Sequence, residues 1–430
     1  MKQAVLIIHG IGEQKPMETL RGFVTALVGK EYTSAPDLVD DTFELRKLSY
    51  FDEKGNKPNT DFYELYWAYR FRDSTFSQVL KWFVGLIQSE NIPKRFYFIK
   101  TILVLICVFF FVVIFLLMLN FLWGPEKSGS ANIFSTYSWE TVALIAEFIL
   151  SFASYYFIKK IAMTAGDASR YLSPGPENIQ ERQAIKKAGI QTIYYLHEKK
   201  DYDRILLVGH SLGSVIGYDI LKHAWPKYNR KLVFDSHNTK DHFKRKAEYP
   251  YKFRDSQYLY WSSQIGLDKW KVSDFITLGS PLTYADFLLA DNREEFTQRI
   301  IQREIPVCPP VKGNLELDDK DYLFQYGYLD GQKVILHHAA HFALTRWTNI
   351  FFEGDILGGE LTSLFGKGII DKKVELIKKY KAGRTKKIDG KISSHTKYWM
   401  NGDMLKNESV ELLKHIIFKS GKGLNNERSM

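Results

Sequence analysis

Residues 204–214 read RILLVGHSLGS, a short apolar run followed directly by two glycines that flank a serine. The run is typical of a buried strand, and the apolar spacing of residues 212–225 predicts a helix that begins immediately afterwards. Gly209 and Gly213 suit a tight strand-to-helix turn, because a side chain at either position would collide with neighbouring backbone. Such a turn raises the hydroxyl of Ser211 above the carboxyl end of a sheet. The segment therefore predicts an α/β fold with an exposed serine hydroxyl at its central turn.

The rest of the chain alternates between strand and helix patterns, as a mainly parallel sheet with crossover helices requires. Apolar runs predict strands at residues 3–8, 43–51, 62–67, 274–278 and 345–352. Helical spacing predicts helices at residues 19–28 and 176–200 and in the basic C-terminal stretch. We expect one doubly wound sheet built from residues 1–95 and 161–430, with a candidate cap at residues 227–270.

An uncharged stretch at residues 101–123, TILVLICVFFFVVIFLLMLNFLW, is long enough to cross a bilayer as a helix. A second apolar stretch, residues 141–158, carries a single acidic residue, Glu147. Lysines and arginines flank the outer ends of this pair, whereas the connecting segment holds only Lys127 as a basic residue. Because positive residues stay on the cytoplasmic side, we expect a two-span membrane hairpin over residues 96–160. It would be inserted into the α/β domain, with that domain in the cytoplasm.

The charge balance is 59 Lys and Arg against 49 Asp and Glu, a formal net charge of +10. This excess favours an anionic partner, but no nucleic-acid-binding motif accompanies it, so we expect no nucleic-acid partner. The basic segment 372–387, KKVELIKKYKAGRTKK, is either a solvated helix face or a contact with anionic lipid headgroups. Two cysteines in 430 residues exclude a secreted disulfide scaffold.

A second glycine-containing turn, residues 9–12 with the sequence HGIG, follows the first predicted strand. It is either an ordinary turn or a loop whose backbone N–H groups point at the serine. We assign an oxyanion hole to the N–H groups of Leu212 and Ile11. These groups would stabilise the tetrahedral intermediate of an acyl transfer.

A serine hydroxyl is a poor nucleophile without a base, and after such a turn the partners follow in the order acid, then histidine. His395, in the loop-like segment GKISSHTKYW, is the predicted base, because His415 belongs to an amphipathic helical pattern. Asp355 follows the strand pattern TRWTNIFF and is preferred as the acid over Asp286. Ser211, His395 and Asp355 form the candidate triad.

Two further patterns receive a structural interpretation. Ser280, in the sequence LGSP, lacks a second glycine and is expected to be a turn residue. His337, His338 and His341 have no acidic or cysteine ligand nearby, so we predict no metal site. Acyl transfer through a serine needs no cofactor, and none is predicted.

Together, HGIGEQ, GHSLG, TLGSPL, RWTNIFFEGD and a late H-x-x-Y-W resemble the α/β-hydrolase superfamily over residues 3–67 and 176–400. They are most similar to its intracellular lipase-like branch, which includes DDHD-type phospholipases and the inositol deacylases of glycosylphosphatidylinositol anchors. The resemblance implies a lipase-like or esterase-like serine hydrolase whose substrate is a lipid or lipid-linked ester at the bilayer. Two alternatives stay open: an acyltransferase that uses the same triad, and a non-catalytic membrane adaptor that keeps the scaffold.

Overall fold

The chain divides by its internal contacts into two compact units, Met1–Arg72 with Pro174–Met430, and Asp73–Ser173. The computed structural model describes residues 1–11, 15–37, 46–71, 170–172, 175–198, 201–230, 232–235, 270–311, 325–329, 333–380, 384–388 and 392–418, and the single positions 101, 108, 111, 112, 115, 148 and 152. The predicted spans at residues 101–123 and 141–158 therefore lie almost wholly outside the described residues. Among the residues that are described, no helix has both the length and the apolar character needed to cross a membrane.

The larger unit contains fourteen described strands and eight described α-helices. The strands are β1 (Lys2–Ile8), β2 (Thr33–Pro36), β3 (Arg46–Tyr50), β4 (Asn59–Leu65), β5 (Arg204–His210), β6 (Val233–Asp235), β7 (Val272–Leu278), β8 (Gln325–Leu329), β9 (Lys333–Leu336), β10 (Arg346–Phe352), β11 (Ile370–Val374), β12 (Leu376–Lys379), β13 (Thr385–Lys387) and β14 (Leu405–Asn407). The helices are α1 (Glu18–Val28), α2 (Ile179–Glu198), α3 (Leu212–Ala224), α4 (Pro226–Asn229), α5 (Ala285–Leu288), α6 (Arg293–Ile301), α7 (Thr362–Phe365) and α8 (Glu408–Phe418).

Eight strands form one sheet in the order β11-β10-β7-β5-β1-β4-β3-β2. Every neighbouring pair from β11 to β4 is parallel, and only β3 and β2, at one edge, pair antiparallel. All residues of β5 and β7 are buried, as expected for central parallel strands that are covered on both faces. The predicted α/β class with a mainly parallel sheet is confirmed.

Helices cover both faces of this sheet. On one face, α1 and α8 pack against the odd-numbered side chains of β1, such as Val5 and Ile7. On the other face, α3 packs so closely that a side chain at Gly217 would lie 2.9 Å from the Phe275 ring. The carbonyl of Ile417, in α8, also accepts hydrogen bonds from the side chains of Gln3 (2.8 Å) and Arg204 (2.9 Å). These hydrogen bonds connect α8 to the two central strands β1 and β5.

The strand order places a crevice at the carboxyl ends of β1 and β5. From β1 the chain continues to the β2–β4 side of the sheet, whereas from β5 it continues to the β7–β11 side. Ligands of open α/β sheets bind where neighbouring connections diverge in this way. The two glycine turns singled out in the sequence, residues 9–12 and 209–213, follow these two strands.

Several element predictions were wrong or incomplete. The described residues of the basic segment 372–387 are not helical: they contribute to β11, β12 and β13, because Val374 and Leu376 are buried in the sheet core. No pattern predicts β2, whose residues TSAP lack an apolar run. His341 opens a 3-10 turn that His337 and His338 precede, so the three histidines do not share a helix face. The candidate cap at residues 227–270 lies mostly outside the described residues.

Candidate active site

Ser211 occupies a strained turn between β5 and α3. Its backbone angles are φ 53° and ψ −128°, a region that costs a residue other than glycine about 1–3 kcal/mol. The Ser211 N–H donates to the Leu278 carbonyl of β7 at 2.9 Å, and the Ser211 carbonyl accepts from the Ser214 N–H at 2.9 Å. The surrounding sheet therefore holds the serine in a conformation that an unsupported turn would leave.

The two glycines that flank Ser211 are sterically required. A Cβ at Gly213 would lie 2.2 Å from the carbonyl oxygen of Ile8, and one at Gly209 would lie 2.6 Å from the carbonyl oxygen of Gly213. Both contacts are with backbone, which cannot rotate away as a side chain can. The turn consequently packs directly against the end of β1.

The turn after β1 approaches the serine itself. A Cβ at Gly10 would lie 2.8 Å from the Cβ of Ser211. Ile11, the predicted oxyanion donor, follows directly and is half-buried. Among the described residues, no acceptor receives a hydrogen bond from the N–H of Ile11 or from that of Leu212. Both predicted donors are thus unused by the residues that the structure describes.

His9 fixes this turn to the end of β4. Its imidazole stacks on the Trp67 indole with centroids 5.0 Å apart and an angle of 5° between the rings. The Trp67 N–H can only donate, so the His9 Nε2 that it contacts at 3.2 Å must accept, and Nδ1 donates to the Gly10 carbonyl at 2.8 Å. Burial lowers the pKa of His9 to about 4, which keeps the ring neutral. Neither His9 nor Trp67 was predicted from the sequence to support the site.

Asp355 and His395 form a buried pair. The Nδ1 of His395 lies 3.0 Å from Oδ1 and 2.9 Å from Oδ2 of Asp355, which is 1% exposed. Since the carboxylate is an acceptor, Nδ1 carries the proton and Nε2 keeps its lone pair. That Nε2 is buried and has no hydrogen-bond partner in the described part of the chain. The pair has the tautomer that a general base requires.

Further groups hold the Asp355 carboxylate. The Tyr398 hydroxyl donates to Oδ2 at 2.7 Å, and the Leu357 N–H donates to Oδ1 at 2.9 Å. Burial would raise the pKa of Asp355, but the hydrogen bonds and the neighbouring His395 imidazole outweigh it and hold the pKa below its usual value. Gly279 provides the space, because a Cβ there would lie 2.7 Å from Oδ2. Asp355 is therefore kept ionised at neutral pH.

His210, the residue before the serine, connects Ser211 to the His395 segment. Its Nε2 donates to the His395 carbonyl at 2.8 Å, and the two imidazole centroids are 5.0 Å apart. Burial, reinforced by the neighbouring His395, lowers the pKa of His210 to about 3, so the ring is neutral. No hydrogen bond joins the Ser211 hydroxyl to His395 Nε2 in this structure. Such contacts are often long before substrate binds.

The alternative site residues make other contacts. Asp286 forms an ion pair with Arg293 at 3.3 Å, so the structure brings Asp355 and not Asp286 to His395. The Ser280 hydroxyl accepts from the Leu282 N–H at 3.3 Å and begins a 3-10 turn. His415 lies in α8.

The three histidines of the HHAAH pattern also lie apart from this site. His337 donates through Nε2 to the Val311 carbonyl at 2.9 Å. In the part of the chain that the structure describes, no group of three or more His, Cys, Asp and Glu side chains is arranged to hold a metal ion.

Tyr398 holds the Asp355 carboxylate through its hydroxyl, a contact that was not predicted from the sequence. We expect Tyr398→Phe to lower kcat for ester substrates about tenfold, because the ionised carboxylate loses one of its hydrogen bonds. KM should stay unchanged, since the hydroxyl faces Asp355 and not the substrate. Steady-state kinetics beside Tyr194→Phe, which removes the hydroxyl of a half-buried tyrosine in α2, test this. An unaltered kcat would show that Tyr398 has only a packing role.

Glu64, in β4, makes the stability of this end of the sheet depend on pH. Its Oε2 accepts from the Met17 N–H at 2.9 Å just before α1, whereas its buried Oε1 has no partner among the described residues. Burial raises the pKa of Glu64 to about 7 from an ordinary value of 4.5. The fold therefore binds this proton more tightly than the unfolded chain does. Its contribution to stability is full below about pH 4.5 and is lost as the pH rises towards 7.

We expect Glu64→Gln to remove this pH dependence, because the amide oxygen can still accept from Met17 and carries no charge. At pH 8 the variant should be more stable than the wild type by about 3 kcal/mol, and the difference should disappear near pH 4.5. Urea unfolding across this range measures both proteins. If the free energy of unfolding changed equally with pH in the two proteins, the raised pKa of Glu64 would be contradicted.

Comparison of the chain with protein-family models, with curated proteins and with solved structures gives no significant match. No family is therefore assigned on similarity. Conclusions about function depend on the residues and distances given above.

Proposed function

We propose that the protein is a serine hydrolase of the α/β-hydrolase type, bound to a membrane, that cleaves a carboxylic ester of a lipid. The observation that carries this proposal is the buried Asp355–His395 pair, whose backbone is held by His210 against the turn that bears Ser211. Among the described residues, His395 alone combines an unpartnered buried Nε2 with an Nδ1 that donates to a buried carboxylate, that of Asp355. The unused Nε2 of His395 favours a catalytic role.

In the proposed first step, the Ser211 hydroxyl attacks the ester carbonyl carbon and transfers its proton to His395 Nε2. Asp355, which accepts from Nδ1, stabilises the imidazolium that forms. The negative charge on the former carbonyl oxygen is stabilised by the free N–H groups of Leu212 and Ile11. As the intermediate collapses, the carbon–oxygen bond to the alcohol breaks and the leaving alcohol takes the proton from His395.

The second step releases the acyl group. A water molecule gives a proton to His395 and attacks the acyl carbon that is bonded to the Ser211 oxygen. The same two N–H groups stabilise the second tetrahedral intermediate. Its collapse returns the proton to Ser211 and liberates the carboxylic acid, which leaves the triad in its starting state.

The membrane part of the proposal is supported by the described positions of the smaller unit. Helical positions 108, 111, 112 and 115 share one helix face by their spacing, and positions 148 and 152 are likewise one turn apart. Their side chains are apolar and well exposed: Val108 53%, Phe111 72%, Val112 46%, Phe115 52%, Phe148 75% and Phe152 65%. Apolar faces of this kind favour lipid over water. We therefore propose the two-span hairpin with the catalytic unit in the cytoplasm, in accordance with the flanking lysines and arginines.

A fluorophosphonate probe, which reacts with activated serines, tests the proposal. We expect the detergent-purified wild type to be labelled and Ser211→Ala to be unlabelled. Ser280→Ala is the matched control, because it removes the hydroxyl of another buried turn serine next to a glycine. Labelling that persists in Ser211→Ala would end the assignment.

Two outcomes would distinguish the other functions. If the probe labels the wild type, and a separate unlabelled sample that is given an ester transfers the acyl group to an added alcohol and releases little free acid, the protein is an acyltransferase with the same triad. If no labelling occurs in a folded wild type, the scaffold is a non-catalytic adaptor.

A further inference from the structure

The small sheet β13-β12-β14 presents a concentration of basic side chains. In its register Lys378 lies opposite Lys386 on one side and opposite Leu405 on the other, so these three share a face. Lys379 ends β12, and Arg384 precedes β13 and accepts the Tyr380 N–H at its carbonyl (2.8 Å). Successive strand residues point to opposite faces, so Lys379 lies on the face opposite to Lys378 and Lys386, and this end of the sheet carries basic side chains on both faces.

The lysines of this region differ in their partners. Lys373, Lys387 and Lys406 are each within 3.4 Å of a glutamate oxygen. In contrast, Lys378, Lys379, Lys386 and Arg384 have no acidic partner among the described residues. Within the described part of the chain their charge is thus uncompensated and available to an anionic partner.

Exposed apolar side chains lie among these cations. Tyr380 and Met400 are each 42% exposed and Met404 is 53% exposed. Met404 is adjacent to β12, because its carbonyl accepts the Lys379 N–H at 2.7 Å. The Lys378 ammonium lies over the Tyr380 ring, 5.4 Å from its centroid. We call these seven residues the basic–apolar patch: Lys378, Lys379, Tyr380, Arg384, Lys386, Met400 and Met404.

Hydrogen bonds connect the basic–apolar patch to the segment that carries His395, the candidate base. The Asn407 side chain of β14 donates to the carbonyls of Lys397 (2.9 Å), Tyr398 (3.3 Å) and Met400 (2.9 Å). This segment begins two residues after His395. A surface that binds the patch therefore also lies beside the backbone that positions His395 and Tyr398.

We propose that the basic–apolar patch docks on the surface of an anionic bilayer. Uncompensated lysines supply attraction to anionic headgroups, and tyrosine and flexible methionines suit the boundary between headgroups and acyl chains. A polyanionic protein or nucleic acid would match the charges but would leave the methionines in water. The docking itself is independent of catalysis. Its consequence, the delivery of membrane lipid to the site, rests on the proposed function.

A spectroscopic label at position 404 tests the docking. The full chain, with Met404→Cys labelled by bimane in a Cys107→Ser background, is reconstituted into phosphatidylcholine vesicles with or without phosphatidylglycerol, each containing a lipid-linked quencher. The remaining Cys308 is buried. We expect quenching only in the anionic vesicles. Asp291→Cys, labelled in the same way on an exposed loop, should remain unquenched.

Charge reversal provides the matched comparison. Each basic residue near an anionic surface changes the docking equilibrium about fivefold, so Lys378→Glu with Lys386→Glu should weaken docking by roughly 25-fold or more. Lys30→Glu with Lys54→Glu makes the same change in net charge elsewhere and should dock normally. Equal loss in both pairs, or no quenching of the wild type in anionic vesicles, would overturn the proposal. The proposal would also be overturned if heparin shielded the label while the lipid-linked quencher did not quench it in any vesicle.

The same samples separate this inference from the proposed function. Ser211→Ala should dock like the wild type, because Ser211 is not part of the basic–apolar patch. If the wild type docks but no fluorophosphonate labelling occurs, the docking surface stands and the hydrolase proposal fails. If labelling occurs without docking, the hydrolase proposal stands and the docking surface is excluded.

Discussion

Replacing Asp355 by asparagine is expected to lower kcat about 10⁴-fold while the protein remains folded. The amide has nearly the shape of the carboxylate, but it no longer requires the His395 proton to be on Nδ1 and it cannot stabilise the imidazolium. Leu357 donates to Oδ1 and Tyr398 to Oδ2, so the amide oxygen can keep the Leu357 N–H while the Tyr398 hydroxyl accepts from the amide NH₂, and the local structure has a hydrogen-bonded alternative. Single-turnover acylation, measured with an activated ester, gives the chemical step directly.

Asp286→Asn is the matched control for this experiment. It makes the same chemical change at the rival acid, which is paired with Arg293 on the surface, and we expect its kcat to differ from the wild type by less than about twofold. A large loss in Asp286→Asn with a small one in Asp355→Asn would reverse the assignment of the acid. Circular dichroism of both variants shows whether each is folded.

Replacing Gly213 by alanine is expected to destabilise the protein by about 3 kcal/mol and to abolish labelling by the probe. The added methyl group would lie 2.2 Å from the Ile8 carbonyl oxygen. Because Ile8 ends a central strand of the sheet, the clash can be relieved only by moving α3 away from β1, and overpacking of this kind is costly. Such a displacement would carry the Leu212 N–H away from Ser211 and from Ile11.

Gly402→Ala makes the same substitution where space exists, since its new methyl group would meet Leu405 at 3.6 Å, an ordinary contact distance. It should change stability by less than about 0.5 kcal/mol. Thermal unfolding of both variants, together with fluorophosphonate labelling, tests the pair. If Gly213→Ala retains wild-type stability and labelling, the close packing of the turn against β1 is not required for the site.

The central sheet could be predicted from the sequence because its strands are buried on both faces. A run such as RILLV, followed directly by a helix pattern, predicts a buried strand. The segment 372–387 could not be predicted in this way: its lysines, glutamate and scattered apolar residues fit a helix or a strand. Pairing of β11 with β10 and burial of Val374 decide between them, and both depend on residues distant in the chain.

The site was predictable to a similar extent. The glycines around Ser211 indicate the turn, and the chain order of acid and histidine limits the candidates to a few residues. The roles of these residues in catalysis stay predictions. The contacts of His210 and Tyr398 could not be found from spacing, because they form across 185 and 43 positions of sequence. They arise only when β5, β10 and the His395 segment come together.

The attachment of α8 to the central strands has a consequence for biosynthesis. The Ile417 carbonyl receives its hydrogen bond from Gln3 across 414 positions, and His395 likewise follows Ser211 by many positions in the chain. During synthesis, β1 and β5 therefore leave the ribosome before the His395 segment and α8 do. We expect the two strands to gain these contacts only after residue 417 has left the ribosome.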